Sequence, residues 1–134
     1  MGRMKRDKVT LILPIPPTLN HAYITTKYGK RIMTSECRNY KEAMHLQIKS
    51  LIRKPFKHLA MIQYYIYWPD NRRRDIDNAL KIIRDCLKGS LVVDDSWQYI
   101  FCECITSEMD RENPRVEIQY YEHLKQDKEK GEQK

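Results

Sequence analysis

The tightest constraint on the fold lies between Leu59 and Leu87, where two different hydrophobic periods meet at one break. Leu59 to Trp68 is rich in Ile, Tyr and Trp, which suit the pleated surface of a strand. Pro69-Asp70-Asn71 interrupts it. Beyond the break, Ala79, Ile82, Ile83, Cys86 and Leu87 recur at helical spacing, while Asn78, Lys81, Arg84, Asp85 and Lys88 fall off that stripe. The pattern predicts an amphipathic helix with Asp77 as its N-cap and Gly89 as its C-terminal stop.

The flanking segments extend this alternation. Val9 to Leu13 reads as a strand ended by Pro14, Pro16 and Pro17. Thr18 to Met33 reads as a loop or irregular hairpin, with Lys27, Lys30 and Arg31 around Gly29. A helix is expected from Thr34 or Ser35, its apolar face formed by Cys37, Tyr40, Met44, Ile48 and Leu51 and its end marked by Pro55. Trp97 to Ile105 and Arg115 to Tyr121 read as strands joined through the polar Thr106–Pro114 stretch, as in a long-looped hairpin. There is no internal repeat. With 134 residues the chain suits one small α+β domain, with helices packed on a mixed β-sheet. Residues 1–8 form a basic extension, 9–122 the domain and 123–134 a charged tail.

No apolar run approaches the roughly 18 residues that a membrane span needs. The prolines at 14, 16 and 17 break the opening apolar stretch too soon for a signal peptide. Both points predict a cytoplasmic protein. Its four cysteines, Cys37, Cys86, Cys102 and Cys104, form no CxxC pair and have no His at zinc-like spacing, so they are expected to be core thiols. The net charge of +7 favours a polyanionic partner, nucleic acid by default. Its densest cluster is Arg72-Arg73-Arg74.

That cluster runs into two carboxylates spaced by two, in the segment PDNRRRDIDNALK from Pro69 to Lys81. If this junction is extended, Asp75 and Asp77 point the same way while Ile76 turns into the core. Paired carboxylates beside phosphate-binding cations suit a metal-assisted phosphodiesterase, because Mg²⁺ takes one or two carboxylates and fills its octahedron with waters and phosphate oxygens. A third carboxylate normally completes such a site, and Asp94-Asp95 offers one. The same residues have a plainer reading, in which the aspartates cap a helix and the arginines form a solvated loop paired with Asp75. Spacing alone does not separate the two. Tyr64, Tyr65, Tyr67 and Trp68 precede the motif. Alternating aromatics in a strand more often fill a core or an interface than stack on unpaired bases.

Taken together, PDNRRRDIDN with Lys81, the later VDDSWQ and the early PIPPTLNHAY resemble the RusA family of Holliday junction resolvases, over about Val9 to Tyr121. The resemblance implies an acidic metal site at Asp75, Asp77 and Asp95, binding Mg²⁺ or Mn²⁺, with Lys81 as a catalytic lysine and no small-molecule cofactor. It implies that Arg73 and Arg74 help to hold DNA. It also implies a homodimer that binds four-way junctions and places paired, symmetric nicks, in a family common in phages and prophages. Arg72 and the Lys27, Lys30 and Arg31 loop are expected to add phosphate contacts. This sequence departs from the family pattern in three ways. The interval from Asp77 to Asp95 is about one residue short, which leaves Asp94 as a substitute ligand. No glycine marks the Arg111-Glu112-Asn113-Pro114 turn. Both termini extend beyond the motif region. Other function classes are a non-catalytic branched-DNA binder, a nuclease preferring flaps or forks, and a nucleotide phosphohydrolase, although no glycine-rich phosphate cradle is present.

Overall fold

The computed structural model describes residues 8–17 and 23–123. Among these residues, six strands and two helices follow in the order β1 (Lys8–Leu13), β2 (Tyr23–Thr25), β3 (Arg31–Met33), α1 (Ser35–Leu51), β4 (Ala60–Trp68), α2 (Ile76–Leu87), β5 (Ile100–Met109) and β6 (Arg115–Glu122). Four strands form a mixed sheet in the order β1-β6-β4-β5, and β2 and β3 pair as a separate antiparallel hairpin. The expected α+β domain, with helices on a mixed sheet, is the observed one. The first seven residues, residues 18–22 and the stretch from Leu124 lie outside the described residues. Both predicted terminal extensions therefore fall wholly or mainly there. No helix among the described residues is long and apolar enough to cross a membrane.

β4 holds the sheet together. Its even-numbered residues Ala60, Ile62, Tyr64 and Ile66 are fully buried, and its odd-numbered ones are half-buried. That alternation follows from the two-residue period of a strand. On β6 the matching residues are Val116, Ile118 and Tyr120, directly opposite Ile66, Tyr64 and Ile62. Leu11 and Leu13 of β1 continue the layer. Both helices cover this one face: α2 contributes Leu80, Ile83 and Leu87, and α1 contributes Met44 and Ile48. Leu91 and Val92, just past α2, seal its lower end.

β4 and β5 are parallel, with α2 as their crossover. β6 then returns antiparallel on the other side of β4. The expected β5–β6 hairpin is therefore wrong, because β4 lies between its two arms. β5 also begins at Ile100 rather than Trp97 and runs on to Met109, taking in much of the stretch expected to be a connection. Only residues 110–114 link the strands. They step across the end of β4, a span of roughly 10 Å that five residues cover easily. The Asp110 N–H donates to Trp68 O at 2.8 Å, and the Asp110 carboxylate accepts from the N–H groups of Glu112 (3.2 Å) and Asn113 (3.1 Å). A step of this kind needs no tight-turn glycine, which accounts for the glycine missing there.

Thr34 caps α1 by accepting from the Cys37 N–H at 3.2 Å. The helix stops at Leu51, which is exposed instead of completing the apolar face. Asp75, not Asp77, is the N-cap of α2, accepting from the Asp77 N–H at 3.0 Å. The helix thus starts at Ile76, and the residues from Ile76 onward turn by about 100° each instead of alternating. Ile76 accordingly stays 40% exposed and does not enter the core as expected. Gly89 ends the region with φ +81°, the left-handed conformation open to glycine. All four cysteines are free thiols. Cys37 and Cys86 are buried as expected, and burial pushes the Cys86 thiol up to about 12. Cys102 and Cys104 do share a face, with their sulfurs 4.0 Å apart, but it is the uncovered face of edge strand β5, so they are not core thiols.

Truncating Ile62 would leave a void between β4 and both helices, because it is fully buried at the middle of the sheet. Ile62→Ala is expected to cost about 3 kcal/mol and Ile62→Val about 1 kcal/mol. Urea denaturation of the two variants checks the ratio.

Candidate active site at the start of helix α2

The chain leaves β4 through residues 69–75, a segment tied down by its own side chains. Arg74 folds back to donate from Nη1 to Asp70 Oδ1 at 2.7 Å and to Asp70 O at 3.2 Å. Its guanidinium also lies 5.0 Å from the Trp68 ring centroid, and only 11% of its side chain is exposed. The Arg72 N–H donates to the same Asp70 oxygen at 3.0 Å. Arg74 first, then Arg72, holds the Asp70 carboxyl down to about 2. The three arginines are therefore not equivalent. Arg74 is a structural clamp, whereas Arg73 is exposed and the Arg72 side chain is 81% exposed.

This clamp delivers the chain to the N-terminus of α2. Asp75 uses one oxygen to cap the helix and accepts from Asn78 Nδ2 at 3.0 Å on the other. Asp77, in the first helical turn, is exposed. Lys81 stands one turn further on, and Arg84 another turn on, so Asp77, Lys81 and Arg84 share one face of the helix. The positive end of the helix dipole favours the two carboxylates where they are.

Asp94 and Asp95 sit on the bend between α2 and β5 and behave differently from each other. Asp94 takes Lys88 as an ion-pair partner at 3.4 Å, and hydrogen bonding from Ser96 first, with Lys88 adding to it, lowers its carboxyl. Asp95 is exposed and acts electrostatically on Arg84. Of the pair, Asp95 has the less committed carboxylate.

Arg84 is the residue the sequence reading passed over. Its Nε donates to both Glu103 oxygens at 3.1 Å, and its Nη2 makes a further short bond to Glu103 Oε1. The Tyr64 hydroxyl donates to Glu103 Oε2 at 2.7 Å from the core side. Burial, reinforced by Glu103, pushes that hydroxyl well above its ordinary range. The chain Tyr64–Glu103–Arg84 thus connects the middle of the sheet to the charged face of α2. A helical i, i+4, i+7 series starting at Asp77 was the available signal, but Arg84 pairs with a residue nineteen positions away, which periodicity does not reveal.

Two of the predicted acids, Asp75 and Asp77, are brought to one helix end, with Lys81 on the same face as Asp77. Among the described residues, no three His, Cys, Asp or Glu side chains are grouped closely enough to hold a metal ion as they stand. The donor chemistry still fits a hard cation. Mg²⁺ requires only one or two carboxylates, and each Asp75 oxygen keeps a lone pair beyond its one hydrogen bond. Lys27, Lys30 and Arg31 lie on a different element, the β2–β3 hairpin and its turn.

A family model described as Endodeoxyribonuclease RusA matches residues 14–121, from the end of β1 into β6. No curated protein matches the chain.

The Glu103 side chain is only 16% exposed, so removing its cation leaves a largely buried carboxylate unpaired. Arg84→Met is expected to destabilise the protein by about 2 kcal/mol, the usual cost of breaking a buried pair reduced for the partial exposure of Arg84. The double variant Arg84→Met/Glu103→Gln is expected to recover part of that loss. Thermal unfolding of the three proteins checks the coupling.

Proposed function

The chain belongs to the RusA endodeoxyribonuclease family, and from that premise we propose that it resolves four-way DNA junctions as a metal-dependent homodimer that places paired nicks. The observation that carries this reading is the joint position of Asp75, Asp77 and Lys81 at the start of α2, inside the span matched by the family. Mg²⁺, or Mn²⁺ in its place, would be held by Asp75 and Asp77, with Asp95 as the third acid. When bound, the ion supplies an activated water and neutralises charge at the scissile phosphate.

The chain's own residues supply the rest. Asn78 orients the Asp75 carboxylate from within the helix. Lys81 presents an exposed ammonium on the same face as Asp77, suited to donate to phosphate oxygens as charge builds on them. Arg72 and Arg73 reach solvent from a loop that Arg74 clamps, which suits phosphate contacts independent of sequence. Two nicks on opposite strands require two such sites, and a two-fold pair of identical subunits provides them with one surface.

One observation favours a second reading, a branched-DNA binder without activity: Asp75 already has a structural role as the N-cap. Asp75→Asn separates the two readings, because asparagine caps a helix about as well as aspartate while losing the charge a metal requires. The variant is expected to melt with the wild type, bind a synthetic four-way junction at least as tightly, and cut it more than roughly 100-fold more slowly. Wild-type cutting is expected with Mg²⁺ and not with EDTA, on the junction in preference to flap, fork or linear duplex. Cutting by Asp75→Asn at the wild-type rate would sink the site assignment. Tight junction binding without nicks under any divalent ion would leave the binder.

A further inference from the structure

The β2–β3 hairpin ends in an aromatic side chain that the fold does not use. Tyr28 is 84% exposed, the most exposed of the large hydrophobic residues among those described. An isolated two-stranded hairpin is ordinarily marginal, yet this turn is fixed by several bonds. The Thr26 N–H donates to Lys30 O at 2.7 Å, and the Gly29 N–H donates to Thr26 O at 2.9 Å. The Thr26 hydroxyl accepts from the N–H groups of both Tyr28 (3.3 Å) and Lys30 (3.1 Å). Gly29 takes φ +82°, which permits the sharp reversal. Ile24 and Ile32, directly paired across the strands, are also half or more than a third exposed.

The charge around the ring selects the partner. Lys27 lies 5.2 Å from the Tyr28 ring centroid, and Lys30 and Arg31 follow within three residues. No acidic residue occurs from Tyr23 to Ser35. An exposed aromatic ring with a lysine beside it, in a stretch of chain that carries two further cations and no acid, complements a ligand that combines a flat π surface with phosphates. Within an intact duplex the bases are stacked on each other and closed to such a ring. At a branch point the stack is interrupted, and an exposed base has a free face.

We propose that the β2–β3 hairpin is a branch-sensing arm: Tyr28 stacks on an exposed base at the branch point while Lys27 and Lys30 hold the flanking phosphates. The proposal rests on the branched-DNA reading given above. It assigns selection of the junction to the arm and leaves cutting to the α2 site.

Binding is measured by fluorescence anisotropy with EDTA present, using a four-way junction and a linear duplex of matched sequence. The junction carries 2-aminopurine at the branch, and its emission is followed in parallel. Wild type is expected to change that emission. Tyr28→Ala is expected to abolish the change and weaken junction binding about 10-fold, with duplex binding unaffected. Tyr28→Phe is expected to behave as wild type, since stacking does not need the hydroxyl. Lys27→Ala/Lys30→Ala is expected to weaken junction and duplex together and to flatten the salt dependence. The proposal is overturned if Tyr28→Ala leaves both junction affinity and emission unchanged, if it weakens junction and duplex equally, or if Tyr28→Phe does not restore binding. It is also overturned if Tyr28→Ala changes the oligomeric state in light scattering, which would make the ring a contact between subunits. A wild-type protein that neither binds nor cuts the junction would instead defeat the underlying reading. Junction cutting with an inert Tyr28 would defeat the arm alone.

Discussion

The packing of α2 across the inner face of β4 is the contact on which the rest depends. Leu80, Ile83 and Leu87 press on the same buried layer that Ile62, Tyr64 and Ile66 present from the strand. Because β4 is central, this layer also fixes β6 on one side and β5 on the other. The helix cannot slide along the strand without separating apolar surfaces on both. Its N-terminus is therefore set by the core, and the Asp75–Asp77 pair is set with it. The residues proposed for catalysis need no fold of their own, since they occupy the one end of α2 that the exit from β4 must reach.

Two polar links carry that packing outward. Between Trp68 and Asp75 the Asp70–Arg74 pair turns an otherwise free loop into a fixed one, using a guanidinium sandwiched against an indole. Further along, Tyr64, Glu103 and Arg84 run from the sheet interior to the surface. A buried carboxylate is costly unless its lone pairs are filled, and here a tyrosine fills one side and an arginine the other. The consequence is positional. Arg84 is held from below, so it cannot leave the helix face that Asp95 acts on. The charge balance beside the proposed metal site is thus partly decided by a tyrosine in the core.

How much of this was legible in the sequence depended on the range of the interaction. The stripe Ala79, Ile82, Ile83, Cys86 and Leu87 is a local pattern, and all five residues are buried. The start of α1 is legible for the same reason, and of the two candidates Thr34 and Ser35 the cap is Thr34. The cap of α2 was displaced by two residues because Asp75 and Asp77 are equally good candidates by type, and the choice depends on where the clamped loop delivers the chain. The strand order was not legible. A parallel β4–β5 pair with β6 inserted on the far side depends on which strand offers two good edges, and alternation in β5 and β6 does not contain that information. Aromatic residues show the same division. Tyr64 is in the core, Trp68 lies against Arg74, and the Tyr67 ring is 3.9 Å from the Arg115 guanidinium. The cluster before the motif is absorbed by the fold, whereas Tyr28 and Trp97, 84% and 74% exposed, stand outside it, and their sequence neighbours did not mark them out.

The separation of charges bears on how binding and cutting would be coordinated. The cations proposed to hold phosphate are those of the hairpin tip and the exposed Arg72 and Arg73, whereas the carboxylates occupy the end of α2 immediately beyond the latter pair. Arg74 is the exception that makes this possible, because pairing it inward with Asp70 removes one positive charge from the neighbourhood of Asp75 and Asp77. The acids are then not neutralised by their own loop. Bare carboxylates repel a phosphate backbone over about a Debye length, near 8–10 Å at physiological salt, so DNA held by the cationic elements meets an unfavourable field at the α2 end. A divalent ion reverses the sign of that field locally. On the proposed reading, the same carboxylates that hold the ion also keep the backbone at a distance until the ion is present, and metal binding becomes the step that admits the phosphate.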